Sequence, residues 1–261
     1  MQPLSAFAGA ARVRGIFCDI DDTLTTRGKL TAQAYGAMER LRESGRLVVP
    51  VTGRPAGWCD HIARMWPVDA VVGENGAFYF WHDAQERRLR RRFLDDEASR
   101  AAKRARLAAV RERILREVPG CALSSDQLYR EADLAIDYCE DVARLPEAAV
   151  ARIVEIMERA GLSAKVSSIH VNGWFGRYDK LATTALLMRE RFGVELERER
   201  SDYAFIGDSP NDAPMFGFFP HAVGVANLAD FGDRIVHRPA YVTRARCGAG
   251  FAEFAELILA A

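Results

Sequence analysis

The chain carries no excess of either charge. Its 261 residues include 36 Lys and Arg and 36 Asp and Glu, so the formal net charge at pH 7 is zero. A balanced chain has no general attraction to nucleic acid or to an acidic membrane surface. No apolar run is long enough to cross a bilayer, and residues 1–11 lack the basic segment that begins a signal peptide. We therefore expect a cytoplasmic protein that binds neither nucleic acid nor a membrane.

Cysteine is scarce and scattered. The five cysteines show no C-x-x-C spacing; they are Cys18, Cys59, Cys121, Cys139 and Cys247. An odd number at such spacings argues against a disulfide framework and against a zinc site. Reduced, mostly buried thiols are the expectation, which agrees with a cytoplasmic protein.

Apolar residues are plentiful, at 49% of the chain, and they occur in segments that alternate between strand-like and helix-like patterns. This alternation is typical of an α/β fold with a Rossmann-like, mostly parallel sheet. Near residue 83 the composition shifts to frequent arginine, and a stretch without a strong catalytic motif follows. We predict a core formed by residues 1–82 and 176–261, and a smaller inserted α/β domain formed by residues 83–175.

The most informative stretch lies at residues 15–25. Residues 16–18 form an apolar run that is typical of a buried parallel strand, and three carboxylates follow within four positions. Successive strand residues point to opposite faces, so Asp19 and Asp21 can point the same way. A hard cation such as Mg²⁺ would relieve the repulsion between them. An acidic turn before the next helix is the alternative explanation.

Two further predicted strands end in polar residues. Residues 47–51 lead into Thr-Gly-Arg-Pro at 52–55, where a hydroxyl, a backbone amide and a guanidinium can bind phosphate. An ordinary turn with a proline-initiated helix is the alternative. Residues 203–206 lead into Gly-Asp-Ser-Pro-Asn-Asp at 207–212, so a second buried strand ends in carboxylates.

Lys180 begins a predicted helix over residues 180–192. The N-terminal end of a helix is unfavourable for a cation, so either an anion lies nearby or Lys180 is an ordinary surface lysine. The carboxyl ends of parallel strands meet at one edge of a sheet, where ligands bind. The polar residues after the three strands should therefore share one rim with Lys180, where they could hold a cation and a phosphate.

The predicted insert contains helices over residues 94–118 and 146–160 and a strand over 133–138 that alternates as a half-exposed strand does. The arginine run at 87–92 is interpreted as a solvated face, with a polyanion-binding patch as the alternative. Later in the insert, Ser168, His170 and Asn172 fall on one face of a strand. They could contact a polar ligand, or they could face solvent.

In chain order, these motifs resemble those of the haloacid dehalogenase-like phosphatase superfamily. The matching segments are Asp19-Ile20-Asp21-Asp22-Thr23, Thr52, Lys180 and Gly207-Asp208-Ser209-Pro210-Asn211-Asp212. The large α/β cap between the second and third motifs resembles that of the subgroup which includes sucrose-phosphatase-like and Cof-like enzymes. The Glu-Asn-Gly-Ala turn at 74–77 is also similar to that subgroup.

The resemblance implies a catalytic role for several residues. Asp19 would attack phosphorus and form an aspartyl-phosphate, and Asp21 would protonate the leaving oxygen and then accept a proton from water. Lys180 would neutralise charge and keep Asp19 ionised. Mg²⁺ would be held by Asp19, the backbone carbonyl of Asp21 and Asp208, with Asp212 among its ligands or just behind them.

The same resemblance implies residues that bind the substrate. In the core they are Thr23, Thr52, Gly53, Arg54 and Asn211. In the cap they are His170 and Asn172.

The sequence thus predicts a Mg²⁺-dependent phosphomonoester hydrolase that acts on a small phosphorylated metabolite, such as a sugar or polyol phosphate. A phosphomutase of the same fold is an alternative, because Asp179-Lys180 also resembles phosphomannomutases. A non-catalytic regulatory module is another, but it would be expected to lack the nucleophile or the acid/base residue. A dehalogenase is disfavoured, because that branch needs neither the Asp21 acid nor Mg²⁺.

Overall fold

The computed structural model describes residues 1–261 and contains fifteen strands and eight α-helices. The strands are β1 (Gln2–Pro3), β2 (Gly15–Cys18), β3 (Thr25–Thr26), β4 (Lys29–Leu30), β5 (Leu47–Pro50), β6 (Val71–Gly73), β7 (Phe78–Asp83), β8 (Arg88–Phe93), β9 (Ala122–Leu123), β10 (Asp133–Asp137), β11 (Ser163–Val166), β12 (His170–Trp174), β13 (Tyr203–Gly207), β14 (His221–Gly224) and β15 (Tyr241–Val242). The helices are α1 (Ala32–Glu43), α2 (Ala56–Met65), α3 (Glu97–Glu117), α4 (Glu147–Arg159), α5 (Lys180–Phe192), α6 (Leu196–Glu199), α7 (Ala213–Phe218) and α8 (Cys247–Leu259). None of these helices is both long and apolar enough to cross a membrane.

The central sheet has six strands in the order β1-β15-β14-β13-β2-β5, and every neighbouring pair is parallel. Beyond β5, a parallel bridge between Val51 and Val72 brings β6 alongside. Strands β6, β7 and β8 continue as an antiparallel sheet of three strands. The predicted α/β fold with a mostly parallel sheet is confirmed.

Helices cover both faces of the central sheet. Ile16 and Cys18 are fully buried in one apolar cluster with residues of α1, α2 and α8. Phe17, between them, is buried in a second cluster with residues of α5 and α7. Burial on both faces explains why β2 is a continuous apolar run rather than an alternating one.

The insert has its own antiparallel sheet in the order β11-β12-β10-β9. Leu134, Ile136 and Val171 lie in a separate apolar cluster with residues of α3 and α4. Strand β10 was expected to be half exposed, and this is wrong, because all five of its residues are buried. The core approaches the polar face of the insert sheet at Gly53, which lies close to Asn172 and accepts a hydrogen bond from Arg130.

The predicted insert, residues 83–175, includes β8, which pairs with β7 along its whole length. The helix predicted from residue 94 begins at Glu97, where the Asp96 side chain accepts the Ser99 N–H. The helices and strands that pack together within the insert therefore extend from α3 to β12. The domain boundary at residue 83 stays a prediction.

The arginine run lies in β8 apart from its first residue, and three of its arginines are ion-paired. Arg90 pairs with Glu86, Arg91 with Asp60 and Arg92 with Glu190. These arginines are 36–54% exposed, as expected for a solvated face whose charges are offset locally.

The turn that follows β6 holds the helix that carries Lys180. Glu74, Asn75 and Gly76 have φ of 44°, 54° and 109°, so all three are left-handed. A Cβ at Gly76 would lie 2.2 Å from the Asp179 carbonyl oxygen, and Thr183 Oγ1 donates to the Gly76 carbonyl at 2.6 Å. Only glycine permits this contact between the turn and the start of α5.

We expect Gly76→Ala to destabilise the protein by at least about 2 kcal/mol, because it adds left-handed strain and a backbone clash. Urea unfolding measures this change. Gly36→Ala is the matched control, because Gly36 is inside α1 and its nearest neighbour for a Cβ is the Arg40 guanidinium at 3.9 Å. That variant should gain about 0.5–1 kcal/mol from helix propensity. Equal stability of the two variants would contradict the contact.

Candidate active site

Two buried carboxylates lie side by side because their strands are neighbours. Asp19 follows β2, and its N–H donates to the Ile206 carbonyl of β13 at 2.9 Å. Asp208 follows Gly207, the last residue of β13. Both side chains are buried, and parallel pairing puts them at the same edge of the sheet. The sequence expectation of a shared rim is borne out for this pair.

Lys180 lies between two carboxylates. Its Nζ donates to Asp19 Oδ1 at 2.9 Å and to Asp212 Oδ1 at 2.7 Å, and its side chain is 2% exposed. Burial opposes its charged form, but the charges of Asp19 and Asp212 outweigh burial and raise the pKa of Lys180. The nearby anions explain a cation at the start of α5, and the surface-lysine alternative is wrong.

The site still has more negative than positive charge. One carboxylate oxygen from each of Asp19, Asp208 and Asp212 lies within 4.8 Å of the other two. Burial raises the pKa of Asp19 to about 7, although the Lys180 charge lowers it. Burial, with repulsion from Asp19 and Asp212, raises the pKa of Asp208 well above its usual range. An all-oxygen cluster with this repulsion fits a hard divalent cation.

Asp208 and Asp212 differ in how their oxygens are used. Asp212 Oδ1 binds Lys180, and its Oδ2 accepts the N–H groups of Asp208 and Ser209 at 3.1 and 3.2 Å. Asp208 accepts only two long bonds of 3.4 Å, from Thr23 Oγ1 and from Asn227 Nδ2. Asp208 is therefore the freer ligand, and Asp212 mainly fixes the loop and the lysine.

Asn227 was missed by the sequence reasoning. Besides its contact with Asp208, its Nδ2 donates to the Asp22 carbonyl at 3.0 Å, and its Oδ1 accepts the Cys247 N–H at 2.8 Å. Asn227 therefore connects the acidic loop after β2 with the start of α8. Its position shortly after β14, another strand of the same sheet, was the available signal.

The loop after β5 is the predicted phosphate site. Thr52 is fully buried, and its Oγ1 accepts the Arg54 N–H at 3.0 Å, which leaves its own proton free to donate. The Asn211 side chain approaches the same region, where its Nδ2 is 3.5 Å from Asn75 Oδ1. The structure thus brings together the predicted residues of the second and fourth motifs.

Arg54 binds carboxylates from both domains. Its Nε and Nη2 donate to Asp21 at 2.8–3.0 Å, its Nη2 also to Glu140 at 2.7 Å, and its Nη1 to Asp126 at 3.2 Å. Asp21 belongs to the core, whereas Asp126 and Glu140 belong to the insert. The guanidinium predicted to bind phosphate here connects the acid/base candidate to the insert.

His170 and Asn172 lie on one face of β12, and a Cβ at Gly53 of the core would lie 3.6 Å from Asn172 Oδ1. His170 Nε2 is 2.8 Å from Glu140 Oε2, and Asn172 Nδ2 donates to Asp133 Oδ2 at 2.9 Å. Burial alone would raise the pKa of Glu140, but the hydrogen bonds from His170 and Arg54 lower it to about 2. Both predicted residues are 2% exposed, so the solvent-facing alternative is wrong. Their contact with substrate stays a prediction.

A second missed residue, Glu74, holds the insert against the core. Its buried carboxylate accepts the N–H groups of Glu131, Ala132 and Asp133 from the insert, at 2.6–3.1 Å, and that of Ala56 from the core at 3.0 Å. The Asn-Gly turn signalled this position, but its partners lie about sixty residues away in sequence. A further link is the bond from Arg130 Nη1 to the Gly53 carbonyl at 2.8 Å, so the insert is closed over the strand ends.

Asp179, which suggested a phosphomutase, has a structural role. Its side chain accepts the Ala182 N–H at 2.7 Å and so caps α5. Together with the left-handed turn that contacts its carbonyl, it positions Lys180.

Comparison with known proteins agrees with this geometry. Residues 16–113 match the family of haloacid dehalogenase-like hydrolases. A phosphoglycolate phosphatase of Haloarcula marismortui is 29% identical over 244 residues, which cover 91% of this chain and 94% of that protein. A crystal structure of a Thermoplasma acidophilum protein superposes with a TM-score of 0.70 at 21% identity, over 95% of this chain and 99% of that one. The sucrose-phosphatase of Synechocystis sp. PCC6803, in complex with sucrose and phosphate, gives a TM-score of 0.63 at 14% identity, over 94% and 97%.

The structural likenesses, at such low identities, show the fold. The family match covers the segment that contains Asp19, Asp21 and Thr52. The relative that aligns along nearly the whole chain is itself a phosphatase. The chain is therefore similar to the haloacid dehalogenase-like hydrolases over residues 16–113, and to a phosphatase along nearly its whole length.

Proposed function

We propose that this chain is a Mg²⁺-dependent phosphomonoester hydrolase that acts on a small phosphorylated metabolite through an aspartyl-phosphate. The observation that carries the proposal is the Lys180 ammonium, buried between Asp19 and Asp212 at 2.9 and 2.7 Å and next to Asp208. Phosphoryl transfer depends mainly on in-line positioning and on neutralised charge, and this cluster supplies both a nucleophile and a cation.

Asp19 is the nucleophile. Its Oδ1 is held by Lys180, which leaves Oδ2 to form a bond to phosphorus. As the bond from phosphorus to the leaving oxygen breaks, Asp21 gives that oxygen a proton. Water then attacks the aspartyl-phosphate, Asp21 takes its proton, and Asp19 and inorganic phosphate are released.

Mg²⁺ would be held by Asp19, by Asp208 and by the backbone carbonyl of Asp21, with Asp212 behind them. The donors fit, because three buried carboxylates face one ammonium and all offer oxygen. When bound, the ion would neutralise charge on the phosphoryl oxygens.

Arg54 positions the acid/base residue. It holds Asp21 with Nε and Nη2, and at the same time binds Glu140 of the insert. Because Asp21 serves the leaving oxygen, the insert residues around Arg54 lie beside the leaving group. Closure of the insert and orientation of Asp21 are therefore linked.

The insert offers a negatively charged face to the leaving group. Arg54 and Arg130 are already paired with its carboxylates, Asp126, Asp133 and Glu140. Carboxylates accept hydrogen bonds from hydroxyl groups and repel a second anion. We propose a sugar or polyol phosphate as the substrate, whereas the Haloarcula relative is named for phosphoglycolate.

Of the predictions about function, the first concerns the nucleophile. Asp19→Asn should lower the rate of phosphate release from p-nitrophenyl phosphate at least about a thousandfold, because an amide does not attack phosphorus. Asp22→Asn is the matched control: Asp22 lies in the same loop at φ 55°, which asparagine tolerates, and its activity should stay close to that of the wild type. Circular dichroism checks that both variants are folded. Full activity of Asp19→Asn would sink the mechanism.

The second prediction concerns the metal. EDTA should remove phosphate release, and added Mg²⁺ should restore it. Asp208→Asn should raise the Mg²⁺ concentration needed for half-maximal activity at least about tenfold, because it loses the freest carboxylate of the cluster. Isothermal titration calorimetry compares the Mg²⁺ affinity of the wild type with that of Asp208→Asn in the absence of substrate. Activity that is indifferent to the chelator argues against the metal.

The third prediction concerns the substrate. Glycerol phosphate and phosphoglycerate share a three-carbon skeleton. Glycerol phosphate ends in a hydroxymethyl group where phosphoglycerate has a carboxylate. We expect kcat/KM for glycerol phosphate to be at least about tenfold higher, because the insert repels a second anion. Glu140→Gln should reduce the difference in kcat/KM between the two substrates, because it removes one of the charges that repel the carboxylate. A preference for phosphoglycerate or phosphoglycolate would overturn the proposed substrate class.

A further inference from the structure

Asn75 presents a buried hydrogen-bond donor that the protein does not use. Its side chain is 2% exposed, and its Nδ2 has no partner among the protein's acceptors. Its Oδ1 has one long contact, the 3.5 Å bond from Asn211 Nδ2. A buried donor left unsatisfied costs about 1–3 kcal/mol, so such a group in a native protein calls for a reason.

The amide of Asn75 faces the phosphate loop. The Asn75 N–H donates to the Thr52 carbonyl at 3.0 Å, and the Glu74 N–H donates to the Arg54 carbonyl at 3.1 Å, so the turn is docked on that loop. A Cβ added at Gly53 would lie 3.1 Å from Asn75 Nδ2. The absence of a side chain at Gly53 leaves room for the amide beside it.

The backbone holds Asn75 in a conformation that few residues adopt. Its φ is 54° and its ψ is 25°, within the left-handed region that asparagine tolerates better than most residues. Glu74 before it and Gly76 after it are also left-handed. Strained backbone of this kind is concentrated at functional sites, where the surrounding contacts maintain it.

We propose that Asn75 is a substrate-binding residue whose Nδ2 donates a hydrogen bond to an oxygen of the substrate's phosphoryl group, beside Thr52 and Gly53. The inference rests on the proposed function, and its ligand is a phosphomonoester or inorganic phosphate. A neutral amide suits this position, because it binds an anion without adding to the charge that Lys180 already balances.

The turn also connects the phosphate loop to the insert. Glu74, next to Asn75, accepts three N–H groups of the insert. The insert is therefore docked one residue away from Asn75, whereas the turn itself is held on the phosphate loop by backbone hydrogen bonds. Glu74→Gln weakens this docking and leaves the amide of Asn75 in place, so it separates the two effects.

The test compares Asn75→Asp and Asn75→Gly, both of which tolerate a left-handed backbone. Asn75→Asp keeps the shape, loses the donor and adds a negative charge, whereas Asn75→Gly loses the donor with the side chain and adds no charge. Hydrolysis of p-nitrophenyl phosphate gives kcat and KM, and inhibition by inorganic phosphate gives its inhibition constant. We expect both KM and the inhibition constant to rise at least about tenfold in both variants, as for loss of a hydrogen bond to a charged group. Melting temperatures check that each variant is folded.

The proposal is overturned if folded Asn75→Asp and Asn75→Gly retain the wild-type KM and phosphate inhibition constant. It is also overturned if Glu74→Gln raises the phosphate inhibition constant as much as Asn75→Gly does, because the turn would then act only through the insert. A wild-type protein that releases no phosphate would instead refute the proposed function. The two failures are thus distinguishable.

Discussion

The structure depends on one arrangement of buried charge: a lysine among three carboxylates at the edge of a parallel sheet. Neighbouring strands β2 and β13 end at the same edge, so Asp19 and Asp208 are forced together by the fold itself. Buried carboxylates repel each other strongly when solvent is excluded. Lys180 offsets part of this repulsion. It lies at the N-terminal end of a helix, which is unfavourable for a cation, and the neighbouring carboxylates compensate for that position. The remaining negative charge is what a divalent cation and a phosphoryl group would share.

The contact between core and insert contains a network of charged and hydrogen-bonded groups. Arg54 of the core binds Asp126 and Glu140 of the insert. Arg130 of the insert donates to the Gly53 carbonyl of the core, and Glu74 accepts insert amides directly. Buried ion pairs add little net stability, because desolvation cancels much of their attraction, but they fix geometry. Such an interface defines one closed position and can be rehydrated when the domains separate. That property suits an enzyme whose site must open to exchange substrate and product.

The strand ends could be predicted from sequence because each is a local pattern, an apolar run followed by polar residues. A general rule of parallel sheets then places these ends together. Glu74 was missed because its carboxylate binds backbone amides of the insert, a role that no local pattern indicates. Asn227 was missed although it lies shortly after a strand of the same sheet. Strand β10 was wrongly expected to be half exposed, since its alternation is real but its polar face is buried as well. Strands β1 and β15, of two residues each, are too short to carry a pattern.

The turn at residues 74–76 contacts three parts of the site at once. Gly76 packs on the start of α5, which carries Lys180, and Glu74 binds the insert. Between them, Asn75 lies against the phosphate loop at Gly53. Three consecutive left-handed residues are unfavourable in isolation, and they persist only where contacts on several sides over-determine them. Here those contacts come from the lysine helix, the phosphate loop and the insert, and the turn is held by all three.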